Sequence, residues 1–323
     1  MKFPSFRRAL AALLISGGTV YGLPNEIRVG VTKGLFLDDP QIREVYSFWV
    51  SYLNSRPDST YDNPFWNSLE KARYQKADLF RSWNATPNLY TTMREFAPKV
   101  LGISREGEYF KITTLFPGQK VSGVSDSLAI TNIYAKKTNG KFNLYNALQL
   151  NTKDWQHHSV GNITFICPQY HIFNEQLAEK LDRFADSLAA HFSQAPKHID
   201  YYFANTYSEL THARGFDYLE GESTLNHPQG YSEVHNGIVT ASGSGEWYPH
   251  EFVHMYAFTP YPTADRMLHE GLATYFGGSH NHSLDWIIVR ADSLVHASPD
   301  LDLNQVFADS RNIALDDAAS LLY

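Results

Sequence analysis

The feature that most constrains the fold of this chain is a pair of histidines in an otherwise apolar segment. In the stretch His250-Glu251-Phe252-Val253-His254, the histidines lie four residues apart and a glutamate directly follows the first. On an α-helix, residues four apart lie on the same face about one turn apart, so both imidazoles point the same way. Apolar residues nearly all round the helix predict that it is buried: Phe252, Val253, Met255, Tyr256 and Phe258. Two imidazoles and a carboxylate buried together need partners, and a metal ion would supply them.

The composition restricts the donors that such a metal site can use. Cys167 is the single cysteine, whereas the chain has 14 histidines. One cysteine excludes an internal disulfide and a zinc site built from thiolates. Zn²⁺ also accepts imidazole and carboxylate ligands, and a catalytic zinc has three protein ligands and one open position. We therefore predict one zinc ion per chain, with His250 and His254 as two ligands. Glu251 leaves the helix to one side of them, where it can reach a water molecule and act as the catalytic base.

The third ligand is expected on the next helix. Thr263 is a candidate N-cap for this helix, Asp265 would lie in its first turn, and Gly277-Gly278 would end it. Two consecutive residues within it, His269 and Glu270, are both metal donors. A helix separates consecutive side chains by about 100°, so both cannot readily point at one ion. The residues by themselves leave the two candidates open.

The two helices together resemble the gluzincins, a group of zinc metallopeptidases in the clan called peptidase MA. The family pattern is HExxH, a short loop, and a second helix in which a glutamate precedes Gly, small and aromatic residues. His250, Glu251, His254 and Glu270 match this pattern, although the fifteen residues between His254 and Glu270 are towards the short end for the family. The resemblance implies that Glu270 is the third zinc ligand, that Glu251 is the general base, and that His269 has a supporting or surface position.

The same resemblance implies a surrounding fold and an activity. A mixed sheet would precede the first zinc helix, and its edge strand would bind the extended backbone of a peptide or protein substrate. Residues 236–242 are the best match to that edge strand. A Tyr or His would stabilise the oxyanion or protonate the leaving amine, and four residues are candidates by position: Tyr256, Tyr275, His280 and His282. The implied reaction is hydrolysis of a peptide bond.

The first half of the chain carries a different pattern. Asp39-Pro40 starts a helical segment with a capping residue and a proline suited to the first helical position. From about residue 99 the segments become rich in β-branched and aromatic residues, and Asn139-Gly140 between two of them is a strong hairpin signal. The predicted fold class is therefore α+β, with N-terminal helices plus an antiparallel sheet. The element order of residues 36–153 resembles the nuclear-transport-factor-2-like (NTF2-like) fold.

The chain begins with the pattern of a secretory signal. Lys2, Arg7 and Arg8 precede a short apolar run, and small residues follow as far as Gly22. The run is shorter than the roughly 20 residues that cross a bilayer. We expect residues 1–22 to be removed and the protein to be exported, periplasmic or secreted, without a membrane span.

The remainder is predicted to form two domains. Residues 23–157 would form the α+β domain, for which the resemblance above implies an NTF2-like fold, and residues 158–323 the gluzincin-like domain. Glycines and a proline in residues 205–235 predict loops there. A last helical pattern opens at Asp316-Asp317, so near the final residue that a truncated domain and a short packed tail are both open expectations.

Charge limits the partners. Lysine and arginine number 27 against 34 acidic residues, a net charge of −7, which becomes −10 when the signal with its three basic residues is removed. No basic stripe of the kind that nucleic acids require is present, so we expect no nucleic-acid partner. Two other functions stay open: a secreted binding protein with a structural or inactive zinc site, and a peptidase fold that acts on a peptide-linked cell-wall polymer. The oligomeric state is not predicted.

Overall fold

A computed structural model describes residues 26–55, 63–83, 93–118, 127–220 and 229–297. The signal predicted for residues 1–22 and the helical pattern at Asp316-Asp317 lie outside the described residues. Helices and mixed β-sheets both make up large parts of the structure, which confirms the α+β class. No helix in the described segments is both long and apolar enough to span a membrane.

Three helices precede the antiparallel strands of the first sheet. They are α1 (Pro40–Leu53), α2 (Ser68–Arg73) and α3 (Leu79–Trp83). Helix α1 begins as predicted, because the Asp39 carboxylate accepts hydrogen bonds from the backbone N–H groups of Gln41 and Ile42. One face of α1 is buried through Val45, Trp49, Tyr52 and Leu53.

The core of the first sheet is a meander, in which four strands pair in the order that they have along the chain. Its strands in spatial order are β1 (Gly30–Val31), β2 (Lys99–Glu106), β3 (Tyr109–Pro117), β4 (Ser127–Thr138) and β5 (Lys141–Tyr145). β1 is parallel to β2, and the other neighbours are antiparallel. The predicted hairpin between β4 and β5 is confirmed: Asn139 and Gly140 have φ angles of 52° and 80°, as a type I′ turn requires.

The second sheet follows a short helix, α4 (Ala147–Asn151). Its spatial order is β10 (Gly230–Glu233), β11 (Ile238–Ser242), β8 (Ile199–Ala204), β7 (Ile163–Cys167) and β6 (Gln156–Val160). The three central strands are parallel, and β6 and β10 pair antiparallel at the two edges. Helix α5 (Glu175–His191) links β7 to β8. The all-buried residues of β8 and β11 are typical of parallel strands that are covered on both faces.

The prediction that residues 205–235 form loops is wrong for most of the part that is described. This segment contains α6 (Tyr207–Ala213), β9 (Phe216–Leu219) and β10. Helix α6 starts with a capping box in which Thr206 and Glu209 satisfy each other's backbone N–H groups. Strand β9 does not join the second sheet but pairs antiparallel with β4 of the first.

The predicted edge strand also needs correction. Residues 236–242 contain β11, which is an interior strand between β10 and β8. The edge position belongs to β10, which precedes β11 in the chain and reverses direction against it. Strand order depends on pairing between distant segments, and a local sequence pattern does not predict such pairing.

Three further helices complete the described chain: α7 (Pro249–Ala257), α8 (Arg266–Gly277) and α9 (Leu284–Ala297). Helix α7 is buried as predicted, with Phe252, Val253 and Met255 in a hydrophobic cluster with α5, β8 and β11. Helix α8 begins two residues later than expected, because Asp265 rather than Thr263 accepts the capping hydrogen bond, from the N–H of Met267. This arrangement puts α7 between the second sheet and α8.

Candidate metal centre

Helix α7 presents the HExxH side chains as one group. The ligand atoms of His250, Glu251 and His254 all lie within 4.8 Å of one another. The two imidazole rings are 5.1 Å apart between centroids and are inclined by 74°. This is the arrangement expected for histidines one helical turn apart on the same face.

His250 is held in a defined orientation by the end of helix α8. Its Nδ1 lies 2.7 Å from the carbonyl oxygen of Gly278, and because a carbonyl only accepts, Nδ1 donates. A donor at Nδ1 leaves Nε2 as the atom that can bind a metal. The close approach requires a glycine at position 277, since a Cβ there would lie 2.7 Å from both the N and the Cα of His250.

Glu270 is brought to the two histidines from helix α8. Its Oε2 lies 3.2 Å from Nε2 of His250 and 3.5 Å from Nε2 of His254. Its other oxygen, Oε1, lies 3.7 Å from Nε of the exposed Arg266. One carboxylate oxygen of Glu270 therefore faces both imidazoles.

The carboxylate of Glu270 and the imidazole of His250 change each other's pKa values. Burial disfavours the charged form of Glu270, but hydrogen bonds and attraction from His250 and His254 outweigh it and lower the pKa of the carboxyl. Burial likewise opposes protonation of His250, yet the contact with Glu270 and the charge of Glu251 raise the pKa of its imidazole. The site thus favours a cation next to Glu270.

His269, the other candidate for third ligand, is not part of this cluster. Its Nε2 lies 2.9 Å from the carbonyl oxygen of Tyr261, in the turn between α7 and α8. Its ring packs near Phe258, and the residue is buried rather than at the surface. The structure therefore gives His269 a position that supports the turn.

Glu251 occupies a tight space between α7 and the edge strand β10. A Cβ at Gly230 would lie 2.5 Å from Cγ and 2.8 Å from Oε1 of Glu251. The glutamate is only 7% exposed. Nevertheless, no hydrogen bond or ion pair joins its carboxylate to another described residue. The Glu251 oxygens are not among the fully buried polar atoms that lack a partner in the described residues, so the carboxylate keeps some contact with solvent. A water molecule can therefore reach it.

Tyr248, the N-cap of α7, is a residue at this site that the sequence analysis missed. Its ring is buried and lies against Gly230. A Cβ added to Gly230 would be 2.2 Å from Cε1 of Tyr248, so Tyr248 and Glu251 both pack against this glycine. Burial, and then the negative charges of Glu251 and Glu270, raise the pKa of Tyr248 well above its usual value, so the phenol keeps its proton. The approach of Gly230 is a contact between distant segments, and no local sequence pattern indicates it.

The four sequence-based candidates for transition-state stabilisation lie in different places. The hydroxyl of Tyr256 accepts a hydrogen bond from the backbone N–H of Lys197, at the far end of α7. Tyr275 is largely exposed and packs edge-on against Phe276. His280 and His282 belong to a tight turn after α8. None of the four makes a hydrogen bond to His250, Glu251, His254 or Glu270 in the described structure.

The donors at this centre fit zinc. Two imidazoles and one carboxylate form a common three-ligand set for catalytic zinc, whereas calcium and magnesium prefer oxygen ligands alone. No protein-family model matches this chain, and a search of curated proteins finds no match either. The gluzincin and NTF2-like resemblances, and the ligand roles that the former implies, therefore stay predictions from the sequence.

Proposed function

We propose that this chain is an exported zinc-dependent peptidase, in which His250, His254 and Glu270 hold the ion and Glu251 is the general base. The observation that carries this proposal is the contrast between the two glutamates. Glu270 contacts both imidazoles, whereas Glu251 is buried beside them with no protein hydrogen bond. That contrast matches a ligand and a base, respectively.

The chemistry that zinc supplies when bound is Lewis acidity, which polarises the scissile carbonyl and makes a water molecule more acidic. Glu251 then accepts a proton from the attacking water as the new carbon–oxygen bond forms. The same carboxylic acid donates that proton to the leaving nitrogen as the carbon–nitrogen bond breaks. The proton balance closes, and Glu251 returns to its starting state.

The surrounding elements support a peptide as substrate. Strand β10 is the edge of the second sheet, and no strand pairs with its outer side among the described residues. Gly230 of this strand touches Glu251, so a peptide added along the edge would pass close to the base. We infer that the β10 edge binds the substrate backbone.

The function is tested with the full chain and a mixed peptide library. We expect about one zinc per chain and measurable hydrolysis. Glu251→Gln keeps nearly the same volume and removes the proton acceptor, so zinc should be retained while turnover falls by roughly 10² to 10⁴. Glu179→Gln, at an exposed position on α5, is the matched control and should leave both unchanged.

Two results would contradict the proposal. Loss of zinc from Glu251→Gln would make Glu251 a ligand and favour a structural zinc site, as in the binding-protein alternative. Full turnover by the same variant would place the base elsewhere.

A further inference from the structure

A cavity of about 430 Å³ lies beside the metal centre and has no part in the mechanism above. It is an open cleft bounded by the start of α7, the end of α8 and the start of α9, and His250 contributes to its wall. Its volume is within the range of small-ligand sites, roughly 300 to 1,000 Å³. Most of the large side chains around it are aromatic: Trp247, Tyr248, Tyr275, Phe276 and His282.

Tyr248 gives this cavity an unused polar group. The residue is only 5% exposed, and its hydroxyl makes no hydrogen bond to any described residue. The hydroxyl oxygen is not among the fully buried polar atoms without a partner in the described residues, so it keeps some contact with solvent and is free to bond a ligand. A ligand in the cavity that Tyr248 lines would provide a partner.

The outer rim of the cavity is preformed. Ser279 and His282 exchange backbone hydrogen bonds of 3.0 and 2.8 Å around a turn in which His280 and Asn281 have φ angles of 48° and 65°. Positive φ in two consecutive non-glycine residues is strained, so the surrounding contacts must fix the turn. One such contact is the ring of His282 stacked on Trp286, with 3.6 Å between centroids.

The charges around the cavity favour a neutral ligand. Lys180 and Asp285 are the lining residues with full charges, and they have opposite signs. The Lys180 ammonium already lies 3.7 Å from the centroid of the Trp247 ring. The rest of the lining combines polar side chains such as Asn281 with the aromatic side chains named above. An aromatic ring would match the aromatic part through edge-to-face and stacked contacts.

We propose that this cavity binds an aromatic residue of a peptide, and that the Tyr248 hydroxyl donates a hydrogen bond to a carbonyl oxygen of that peptide. The identification of the ligand as a peptide rests on the proposed peptidase function. The pocket determines which peptides the site prefers.

Binding is measured first on the full chain in the presence of a chelator, so that the readout does not depend on catalysis. The probes are the N-acetyl amides of phenylalanine, leucine and alanine, followed by saturation-transfer NMR titration. The phenylalanine probe should bind roughly tenfold or more tightly than the alanine probe, the discrimination typical of an apolar pocket. The leucine probe should be clearly weaker than the phenylalanine probe.

Two variants and two matched controls test the assignment. Leu284→Trp adds bulk inside the cavity and should remove the preference for phenylalanine, whereas Leu177→Trp, at the start of α5 and outside the lining, should not. Tyr248→Phe removes one hydrogen-bond donor. It should lower the affinity for the phenylalanine probe by roughly 2- to 10-fold, the contribution of a neutral hydrogen bond. Tyr256→Phe removes a tyrosine hydroxyl at the far end of α7, outside the lining, and should have no effect on binding.

The same proteins are then assayed for hydrolysis of peptide pairs that differ only by phenylalanine or alanine next to the cleaved bond. Equal binding of the three probes, or an unchanged preference in Leu284→Trp, would overturn the pocket. Equal binding of leucine and phenylalanine would overturn its aromatic character. Selective binding without any hydrolysis would refute the peptidase function and leave the pocket assignment intact. Hydrolysis without a preference for aromatic residues would refute the pocket assignment and leave the peptidase function intact.

Discussion

Two glutamates at the metal centre have different surroundings, and the difference can be measured one residue at a time. Glu270 reaches both imidazoles with one oxygen, at 3.2 and 3.5 Å, while its other oxygen faces Arg266. Glu251 has no such contacts. Replacing either glutamate by glutamine removes the negative charge and keeps the shape of the side chain. Because an amide is a poorer zinc ligand than a carboxylate, loss of a ligand lowers zinc affinity, whereas loss of a base lowers only turnover.

Glu270→Gln should therefore weaken zinc binding and turnover together. Loss of an outer partner of a ligand usually costs roughly 10- to 100-fold in metal affinity, and loss of a ligand charge should exceed that. Competition titration with a chromogenic chelator measures the change. Arg266→Gln is the control, because it removes only an exposed cation 3.7 Å from Oε1. If Glu270→Gln keeps tight zinc and full turnover, the third ligand must be another residue, and His269 is the next candidate.

Glu70, which is remote from the metal centre, should make the stability of the protein depend on pH. Burial raises the pKa of Glu70 to about 7, against the lowering effect of hydrogen bonds from Asn146. The native state then binds a proton that the unfolded state has released between about pH 4.5 and 7, so this group destabilises the fold as pH rises through that window. A shift of this size corresponds to about 3 kcal/mol.

Glu70→Gln should remove that part of the pH dependence. Urea unfolding of both proteins at pH 4.5 and 7.5 gives the test, and the parent should lose more stability over this interval than the variant. The comparison between proteins cancels the other titrating groups. Parallel pH profiles would show that the pKa of Glu70 does not change on folding.

At the scale of elements, the contact between α7 and α8 depends on a glycine. Gly277 lies against the backbone of His250, and a Cβ there would be 2.7 Å from its N and Cα atoms. Main-chain atoms cannot move aside as the end of a flexible side chain can. The same helix contains Gly271, where a Cβ would meet nothing within 4 Å.

The two glycines form a matched pair for mutation. Gly277→Ala should push the end of α8 away from α7, break the hydrogen bond from His250 to Gly278, and lower both stability and zinc affinity. Gly271→Ala should instead stabilise the protein by roughly 0.5 to 1 kcal/mol, the usual gain in a helix interior. Thermal unfolding with and without zinc distinguishes them. Equal effects of the two substitutions would show that the helices can separate without loss.

The elements also show what the sequence can predict. The start of α1 at Asp39 and the Asn139-Gly140 hairpin are local, since a few neighbouring residues determine them. The helical spacing of His250 and His254 is equally local. The edge position of β10, and the approach of Gly230 to Tyr248 and Glu251, result from pairing and packing between distant segments. Those contacts left no local pattern, so Tyr248 was not predicted as a site residue.

One missed element did have a local signal. Thr206 and Glu209 have the spacing of a capping box, and they start α6 within a segment expected to be loops because of its glycines and proline. The loop prediction relied on the glycines and the proline of this segment and did not use the capping signal. The nearby strand β9 could not be predicted in the same way, because its partner β4 lies in the other half of the chain.

At the scale of the whole molecule, the two halves share a hydrophobic core. The first cluster combines residues of α1 and the first sheet, such as Trp49, with Tyr202 of β8, Phe216 of β9 and Ile238 of β11. An ion pair of 2.6 Å between Arg73 and Asp200 also joins the halves. The boundary predicted at residue 157 therefore separates sequence patterns, and whether it separates folding units is open to experiment.

We expect the second half not to fold by itself. Expressed as residues 158–323, it would expose Phe216 and Leu219 of β9, which are buried in the full chain, and would leave β9 without the backbone partners of β4. Burying such a side chain contributes roughly 1.5 to 3 kcal/mol, and typical domains have only about 5 to 15 kcal/mol of stability in total. The full chain should unfold in one cooperative step, and the fragment should lack a sharp thermal transition and bind zinc weakly. Circular dichroism and zinc titration of both proteins measure this. A fragment that unfolds cooperatively and binds zinc as tightly as the full chain would establish residues 158–323 as an independent domain.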